Sequence, residues 1–281
     1  MTVERFGLAL SGGGARGFAH IPVLEALDEM GVRPSIITGT SIGAIMGAGY
    51  AAGMSGADIR DYAVSLFTNR TEVLSRLWRL RPKRVKDWFT DAGPAIGQID
   101  ARRTMETFLP EGLPLSFDDL RIPLKVVATD FYGWDAASLE TGPLHPALAA
   151  SAALPIVFRP VRLAGRVLID GGITNPLPFD LIEDDVDLVM AVDVVGGPVS
   201  SGDRLPGSME AMFGATQLLM QSLMAEKMRG SRPPDILIRP PVGARVLEFL
   251  KVRKIVARAE PAKDEVKRLL DRALSASVVG G

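Results

Sequence analysis

The chain contains no cysteine and only two histidines among its 281 residues. Without cysteine there is no disulfide framework, no thiol nucleophile and no cysteine metal site. With so few imidazoles we expect neither a metal centre nor another bound cofactor. Basic and acidic residues nearly balance, at 32 against 33, so the chain has no general attraction for nucleic acid.

The N-terminal residues also lack the pattern of a signal peptide. Residues 1–5 run straight into a candidate strand, without a basic segment and an apolar core. We therefore expect a cytoplasmic protein. The hydrophobic content of 47% is enough to bury a full core, and the sequence favours one domain over residues 1–281.

One uncharged stretch, residues 35–57, has glycines at the spacing of a transmembrane helix pair, namely Gly39, Gly43 and Gly47. The stretch lacks leucine and phenylalanine, which a helix in hydrocarbon needs. We therefore expect a buried helix that lies close to a sheet.

A short motif, Gly-Thr-Ser-Ile-Gly at residues 39–43, places Ser41 between an apolar strand and a helix of small residues. The flanking glycines allow a tight strand-to-helix turn that pushes the serine hydroxyl out above the sheet. Free amides at the helix start would lie beside an oxyanion formed by attack of that hydroxyl. The motif predicts that Ser41 is a nucleophile, although such short motifs also occur in ordinary turns.

A glycine-rich loop, Ser-Gly-Gly-Gly-Ala-Arg-Gly at residues 11–17, follows the first apolar strand and precedes a helical pattern. Consecutive glycines let the backbone turn its amides inward and form an anion cradle. Gly12, Gly14 and Gly17 also match a dinucleotide-binding pattern, but the next strand ends without the acidic residue that would hold the ribose. No Gly-Lys-Ser or Gly-Lys-Thr follows, as a Walker loop requires. We favour an oxyanion hole over a dinucleotide site and over a purely structural turn.

Far downstream, an apolar strand at residues 167–169 ends in Asp170, Gly171 and Gly172. A carboxylate at a strand end can reach across a parallel sheet to Ser41, so Asp170 is a candidate base. Asp130 and Asp193 also end apolar strands and compete with it. We expect both to cap turns or tie loops instead, since neither is followed by two glycines.

These three motifs, in this order, resemble those of the patatin-like phospholipases, acyl hydrolases that use a Ser-Asp dyad. The resemblance covers roughly residues 5–195 and includes the segments 122–130, 150–160 and 191–193. It implies an α/β, three-layer fold whose mostly parallel central sheet is covered by helices on both faces. A helical insertion at about residues 58–118 and C-terminal helices at about 208–275 would then pack on this core.

The resemblance also assigns roles to individual residues. Ser41 becomes the nucleophile and Asp170 the general base. An oxyanion hole is expected from Gly12, Gly13, Gly14 and the amide of Ile42, with supporting roles for Arg16, Gly39, Gly43, Gly171 and Gly172. For Arg16, bracing of the loop, added positive charge and a salt bridge to a neighbouring carboxylate all stay open.

Both histidines are candidates for a Ser-His-Asp arrangement. His20 follows the glycine loop on the first helix, and we expect it to be bonded to backbone or solvent. His145 lies downstream of the serine, as hydrolase order requires, but outside the segments that carry the resemblance. A dyad without histidine is therefore favoured.

Two segments are candidates for lipid contact. Residues 76–88, from Arg76 to Trp88, are basic with interleaved leucine and tryptophan, which suits an anionic bilayer surface or a solvated helix over the site. A methionine-rich helix from Met209 to Met228 suits core packing, which we favour, or the lining of an acyl pocket.

The expected function is that of a lipid acyl hydrolase of the phospholipase or lysophospholipase type, acting through an acyl-enzyme on a lipid or acyl-ester substrate. A regulatory or lipid-binding patatin-like protein without catalysis is the first alternative. A dinucleotide-binding protein that uses residues 12–17 is the second. The sequence leaves the lipid head group and the oligomeric state open.

Overall fold

The computed structural model describes residues 5–80, 89–90, 93–94, 99–182, 186–198, 200, 202–230 and 232–279. Its strands are β1 (Phe6–Leu10), β2 (Ile36–Thr40), β3 (Phe89–Thr90), β4 (Gly93–Pro94), β5 (Leu124–Asp130), β6 (Asp135–Leu139), β7 (Val161–Leu163), β8 (Arg166–Asp170), β9 (Leu188–Val192) and β10 (Ile236–Ile238). Its helices are α1 (His20–Glu29), α2 (Ile42–Ala51), α3 (Gly56–Thr68), α4 (Arg70–Arg79), α5 (Ala101–Phe108), α6 (Leu144–Ser151), α7 (Ser208–Lys227), α8 (Val252–Ala259) and α9 (Ala262–Val279).

Eight strands form the central sheet, in the order β10-β9-β1-β2-β5-β8-β7 with β6 added to β5. The neighbours from β10 to β5 are parallel. In contrast, β6 and β8 run antiparallel to β5, and β7 runs antiparallel to β8. β1 and β9 are buried along their whole length, as is typical of parallel strands covered on both faces. The predicted α/β fold with a mostly parallel sheet is confirmed.

Apolar side chains pack on both faces of this sheet. Along β1, Leu8 and Leu10 belong to a large buried cluster, whereas Ala9 belongs to a smaller one. Because neighbouring strand residues point to opposite faces, the two clusters lie on opposite sides of the sheet. The large cluster includes residues from Phe6 to Leu270, and the interpretation of the chain as one domain stays a prediction.

The positions of β2 and β8 bring the ends of two distant chain segments together. β2 pairs with the first half of β5, up to Thr40 beside Val127. β8 pairs with the second half, starting with Asp170 beside Ala128. β6 pairs along both halves of β5 and therefore occupies one whole edge of that strand. β2 and β8 must then share the opposite edge of β5, where they run toward each other. The strand of Asp170 is thus antiparallel to β5, not part of a parallel sheet as the sequence suggested.

The helical segment expected as an insertion contains α3, α4 and α5 between β2 and β5. α3 packs against α1, and α5 packs against α6. At the C-terminus α9 packs against α1. Among the residues described, no helix is both long and apolar enough to cross a membrane.

The methionine-rich segment forms α7, but the expected core packing holds for one side of it only. Gly214, Gln217 and Met224 are buried, and Met220 packs beside Met224. Met209 and Met212 are exposed together with three leucines of the same helix. The other candidate for lipid contact is described only as far as residue 80, so residues 81–88 lie outside the described part of the chain.

Candidate active site

Ser41 lies at the turn between β2 and α2, as the motif predicts. Its backbone angles, φ 53° and ψ −122°, belong to a region that non-glycine residues rarely adopt. A methyl group on Gly43 would lie 2.3 Å from the carbonyl oxygen of Leu10, so the helix could not approach the sheet this closely with any other residue there. The turn is therefore strained at Ser41 and made possible by Gly43.

The Ser41 hydroxyl donates a hydrogen bond to Asp170, with 2.8 Å between Oγ and Oδ2. The other carboxylate oxygen accepts a bond of 2.8 Å from the amide of Gly172. Asp170 is 6% exposed. Burial raises the pKa of Asp170 to about 6, against the hydrogen bonds from Gly172 and Ser41 that lower it. A carboxylate with this pKa, in contact with a serine hydroxyl, is suited to accept the proton of that hydroxyl near neutral pH.

Four residues were predicted to form an oxyanion hole, and they are not equivalent in the structure. Gly13, Gly14 and Ile42 line the same cavity as Ser41. Among the described residues, their amides donate to no acceptor. The amide of Gly12 instead donates to the carbonyl of Pro176, 3.0 Å away. Gly12 therefore has no free amide for an oxyanion, and the predicted set of donors reduces to the other three.

The loop after Asp170 is fastened to the elbow by hydrogen bonds that the sequence did not indicate. Thr40 Oγ1 donates to the carbonyl of Asn175 over 2.7 Å, and Thr38 Oγ1 donates to that of Pro178 over 2.9 Å. Together with the bond from Gly12 to Pro176, these contacts fix the two motifs relative to each other. Thr40 belongs to the predicted motif and Thr38 directly precedes it, so their closeness to Ser41 in the sequence was the available signal.

Ser151, at the end of α6, was also missed as a site residue. Its Oγ accepts a hydrogen bond of 2.8 Å from the amide of Ser41 and donates to the carbonyl of Val127 on β5. Ser151 therefore holds the strained backbone of the elbow against the sheet. It lies within the segment 150–160 that carries the family resemblance, but nothing in the sequence assigned it this contact.

Neither histidine lies at Ser41. His20 is fully buried, and its Nε2 lies 3.0 Å from the carbonyl of Ser11. Burial lowers the pKa of His20 to about 4, so its ring is neutral at neutral pH. His145 Nε2 lies 3.4 Å from the carbonyl of Leu113. The two histidines are absent from the residues that line the cavity around Ser41.

The competing aspartates tie loops, as expected. Asp130 accepts a hydrogen bond from the amide of Gly133, which closes the turn after β5. Asp193 accepts one from the amide of Val195 and pairs with Arg239. Of the three candidates, the structure brings Asp170 into contact with Ser41.

Arg16 braces the loop from inside the protein. It is 3% exposed, and its guanidinium donates to the carbonyls of Ala244, Val195 and Gly197. It also reaches Gln217 on α7 at 3.4 Å. These contacts favour the bracing role over a salt bridge to a carboxylate.

Replacement of Arg16 by glutamine is therefore expected to lower the free energy of unfolding by about 3 kcal/mol, since buried carbonyls lose their donors. Arg16→Lys restores the charge but cannot reach three carbonyls at once, so we expect it to recover less than half of the loss. Urea denaturation measures both. As a matched control, Arg159→Gln on the exposed surface should change the value by less than about 0.5 kcal/mol. A stable Arg16→Gln protein would contradict the bracing role.

Ser41 and Asp170 lie at the wall of a cavity of about 450 Å³. Its lining is mainly apolar and comes largely from the helical segment α2–α5, the loop after α6, the loop before α8, and α7. Representative lining residues are Ile45, Met46, Ile59, Leu66, Phe67, Met105, Phe108, Leu154, Phe213, Met220 and Phe249. Such a cavity suits a long apolar group whose polar end lies at Ser41. Within the described residues, no group of three histidine or acidic side chains is placed to hold a metal ion.

Comparison with known proteins places this chain in a family. A family model of patatin-like phospholipases matches residues 8–182. An uncharacterized NTE family protein of Mycobacterium tuberculosis is 37% identical over 193 residues, which are 68% of this chain and 49% of that protein. Human patatin-like phospholipase domain-containing protein 6 is 32% identical over 197 residues, which are 69% of this chain and 14% of the human protein.

The fold is also similar to that of a solved structure. VipD from Legionella pneumophila superposes with a TM-score of 0.55 at 18% identity, covering 96% of this chain and 67% of VipD. The chain spans about half the length of the mycobacterial relatives it matches. Because the family model covers more than half of the 281 residues, the chain belongs to the patatin-like phospholipase family.

Proposed function

We propose that the protein is a lipid acyl hydrolase of the phospholipase A or lysophospholipase type, which acts through a dyad of Ser41 and Asp170. The observation that carries the proposal is the 2.8 Å hydrogen bond between the Ser41 hydroxyl and the Asp170 carboxylate at the wall of an apolar cavity. Membership of the patatin-like phospholipase family supports the same activity.

In the first step, Ser41 Oγ attacks the ester carbonyl and its proton passes to Asp170. The carbonyl oxygen becomes an oxyanion, for which the amides of Gly13, Gly14 and Ile42 are the available donors. Collapse of this intermediate breaks the bond to the alcohol, which takes the proton back from Asp170. The fatty acyl group then stays on Ser41 as an ester.

In the second step, a water molecule gives a proton to Asp170 and attacks the acyl-enzyme. The acid leaves, and the proton returns from Asp170 to Ser41 Oγ. No histidine takes part in either step. The apolar lining holds the acyl chain and excludes bulk water, which strengthens the hydrogen bonds to the oxyanion.

A fluorophosphonate tests the proposal, because it phosphonylates an activated serine hydroxyl. We expect the intact mass of the wild-type protein to show one adduct per molecule. Peptide mapping should place this adduct on the peptide that contains Ser41. Ser41→Ala should give no adduct, whereas Ser35→Ala, directly before the start of β2, should still react. A folded wild-type protein that forms no adduct would overturn the proposal and favour the lipid-binding alternative without catalysis.

A further inference from the structure

The solvent side of α7 has no charged residue over most of its length. Its exposed apolar residues, here called the outer face of α7, are Met209, Met212, Leu218, Leu219 and Leu223. Between Ala211 and Ala225 the helix contains no Asp, Glu, Lys or Arg. A helix on the surface of a globular protein normally turns polar residues to solvent. Exposed apolar patches of this kind mark contact surfaces.

Two hydroxyl groups in the middle of this helix are already bonded within it. Ser222 Oγ donates to the carbonyl of Leu218 over 3.0 Å, and Thr216 Oγ1 donates to that of Met212 over 3.0 Å. The outer face therefore offers few polar groups to a partner. Protein interfaces usually carry about one hydrogen bond per 100–200 Å², so this surface fits hydrocarbon better than another protein.

The opposite side of the same helix forms a wall of the catalytic cavity. Phe213, Gln217 and Met220 line the cavity, and the end of the Met220 side chain lies against Gly172 in the turn after Asp170. One helix thus has the cavity on its inner side and an uncharged surface on its outer side.

Exposed leucines also occur at the mouth of the cavity. Leu74, Leu247 and Leu250 line the cavity and are each more than one-third exposed. The loop of Leu247 and Leu250 is held beside the first turn of α7 by an ion pair of 3.5 Å between Arg245 and Glu210. The apolar rim of the mouth is therefore next to the start of the outer face.

We propose that the outer face of α7 docks on the surface of a phospholipid bilayer and brings the cavity mouth to the lipid. This inference rests on the proposed function, since it concerns how the same site meets its substrate. A helix of 20 residues is about 30 Å long, and it would lie parallel to the surface with its leucines at the boundary of head groups and acyl chains. The helix is the element that joins the dyad to the bilayer.

Vesicle binding tests the proposal, with phosphatidylcholine vesicles and the Ser41→Ala background so that no lipid is consumed. Replacement of Leu218, Leu219 and Leu223 by glutamine should lower the partition coefficient about 100-fold, because three side chains lose their transfer to hydrocarbon. Glutamine keeps the helix propensity, and circular dichroism verifies the fold. With Ser41 intact, the same triple variant should hydrolyse a soluble short-chain ester at the wild-type rate, since none of the three leucines lines the cavity.

A matched pair of single variants separates position from hydrophobicity. Leu219 is 67% exposed on the outer face, and Leu115 is 73% exposed elsewhere. Leu219→Gln should weaken vesicle binding severalfold, and Leu115→Gln should leave it unchanged. Equal binding by the triple variant and its parent overturns the proposal.

Two further results also overturn it. One is a parent protein that does not bind vesicles. The other is a dimer in sedimentation that the triple variant converts to a monomer, which assigns the face to a second copy of the chain. Vesicle binding without a fluorophosphonate adduct keeps the docking surface and overturns the hydrolase. A fluorophosphonate adduct without vesicle binding keeps the hydrolase and overturns the docking surface.

Discussion

Ser41→Gly is expected to abolish ester hydrolysis and, at the same time, to stabilise the fold relative to Ser41→Ala. The hydroxyl is the proposed nucleophile, so either variant should lower kcat/KM by about 10⁴-fold or more. The backbone of Ser41 lies at φ 53° and ψ −122°, which glycine adopts without a clash and alanine does not. The strain would thus be relieved by glycine alone.

The two variants form a matched pair, since both remove the hydrogen bond to Asp170. Their difference in free energy of unfolding isolates the backbone term, which we expect to favour glycine by about 1 kcal/mol after the greater chain entropy of unfolded glycine is included. Urea denaturation at one pH measures it. If alanine proves the more stable variant, the turn is not strained at Ser41. If either variant keeps wild-type kcat/KM, Ser41 is not the nucleophile.

The elbow was predictable from the sequence because its determinants are local. A strand, two glycines and a run of small residues within residues 35–51 are sufficient to indicate the turn, and β2 and α2 begin and end close to where the pattern suggests. The roles of Ser41 and Asp170 stay predictions until the chemistry is measured.

The direction of β8 could not be predicted, because strand pairing depends on contacts between distant segments. Asp170 lies 129 residues from Ser41. The apolar run before it is equally compatible with a parallel and an antiparallel neighbour. The same limit applies to Gly12, whose amide donates a hydrogen bond to the carbonyl of Pro176, a residue distant in the sequence. In both cases a local pattern gave the residue but not its partner.

The expected core packing of α7 holds on one side of the helix only, for a different reason. Methionines and leucines occur on both sides of this helix. The sequence therefore indicates burial but does not show which element covers each side. The structure gives the inner side the cavity and the second buried cluster, and it leaves Met209, Met212 and Leu219 exposed. An apolar residue is a good predictor of burial only where another element lies over it.

Asp170→Asn is the second variant with a large expected effect. The amide keeps the size of the carboxyl and can still accept a hydrogen bond from Gly172, but it cannot take a proton from Ser41. We expect kcat/KM to fall about 10³-fold, the range of general-base catalysis, and the fluorophosphonate to react correspondingly more slowly. In wild-type protein, kcat/KM should rise with pH through the pKa of Asp170 at about 6 and then level off. Asp170→Asn should lack this acid limb.

The same substitution should make the protein more stable at neutral pH. Because the pKa of Asp170 is raised in the folded state from its ordinary value of 3.8 to about 6, its contribution to stability is present below pH 3.8 and is lost as the pH rises through 6. Burial of the charged form then costs about 3 kcal/mol, which asparagine avoids. His20 titrates over an overlapping range in the opposite sense, but it is common to both proteins.

The difference between wild type and Asp170→Asn therefore isolates the carboxylate. We expect the free energies of unfolding to be similar near about pH 4 and the variant to be more stable by about 3 kcal/mol near about pH 8. Urea denaturation of both proteins at the two pH values measures it. A gap that stays constant would mean that Asp170 is not held in an environment that penalises its charge. If the variant also kept the acid limb of the pH profile of kcat/KM, Asp170 would be removed as the base. A dyad without histidine needs a buried carboxylate that titrates near 6, because such a group can accept the serine proton.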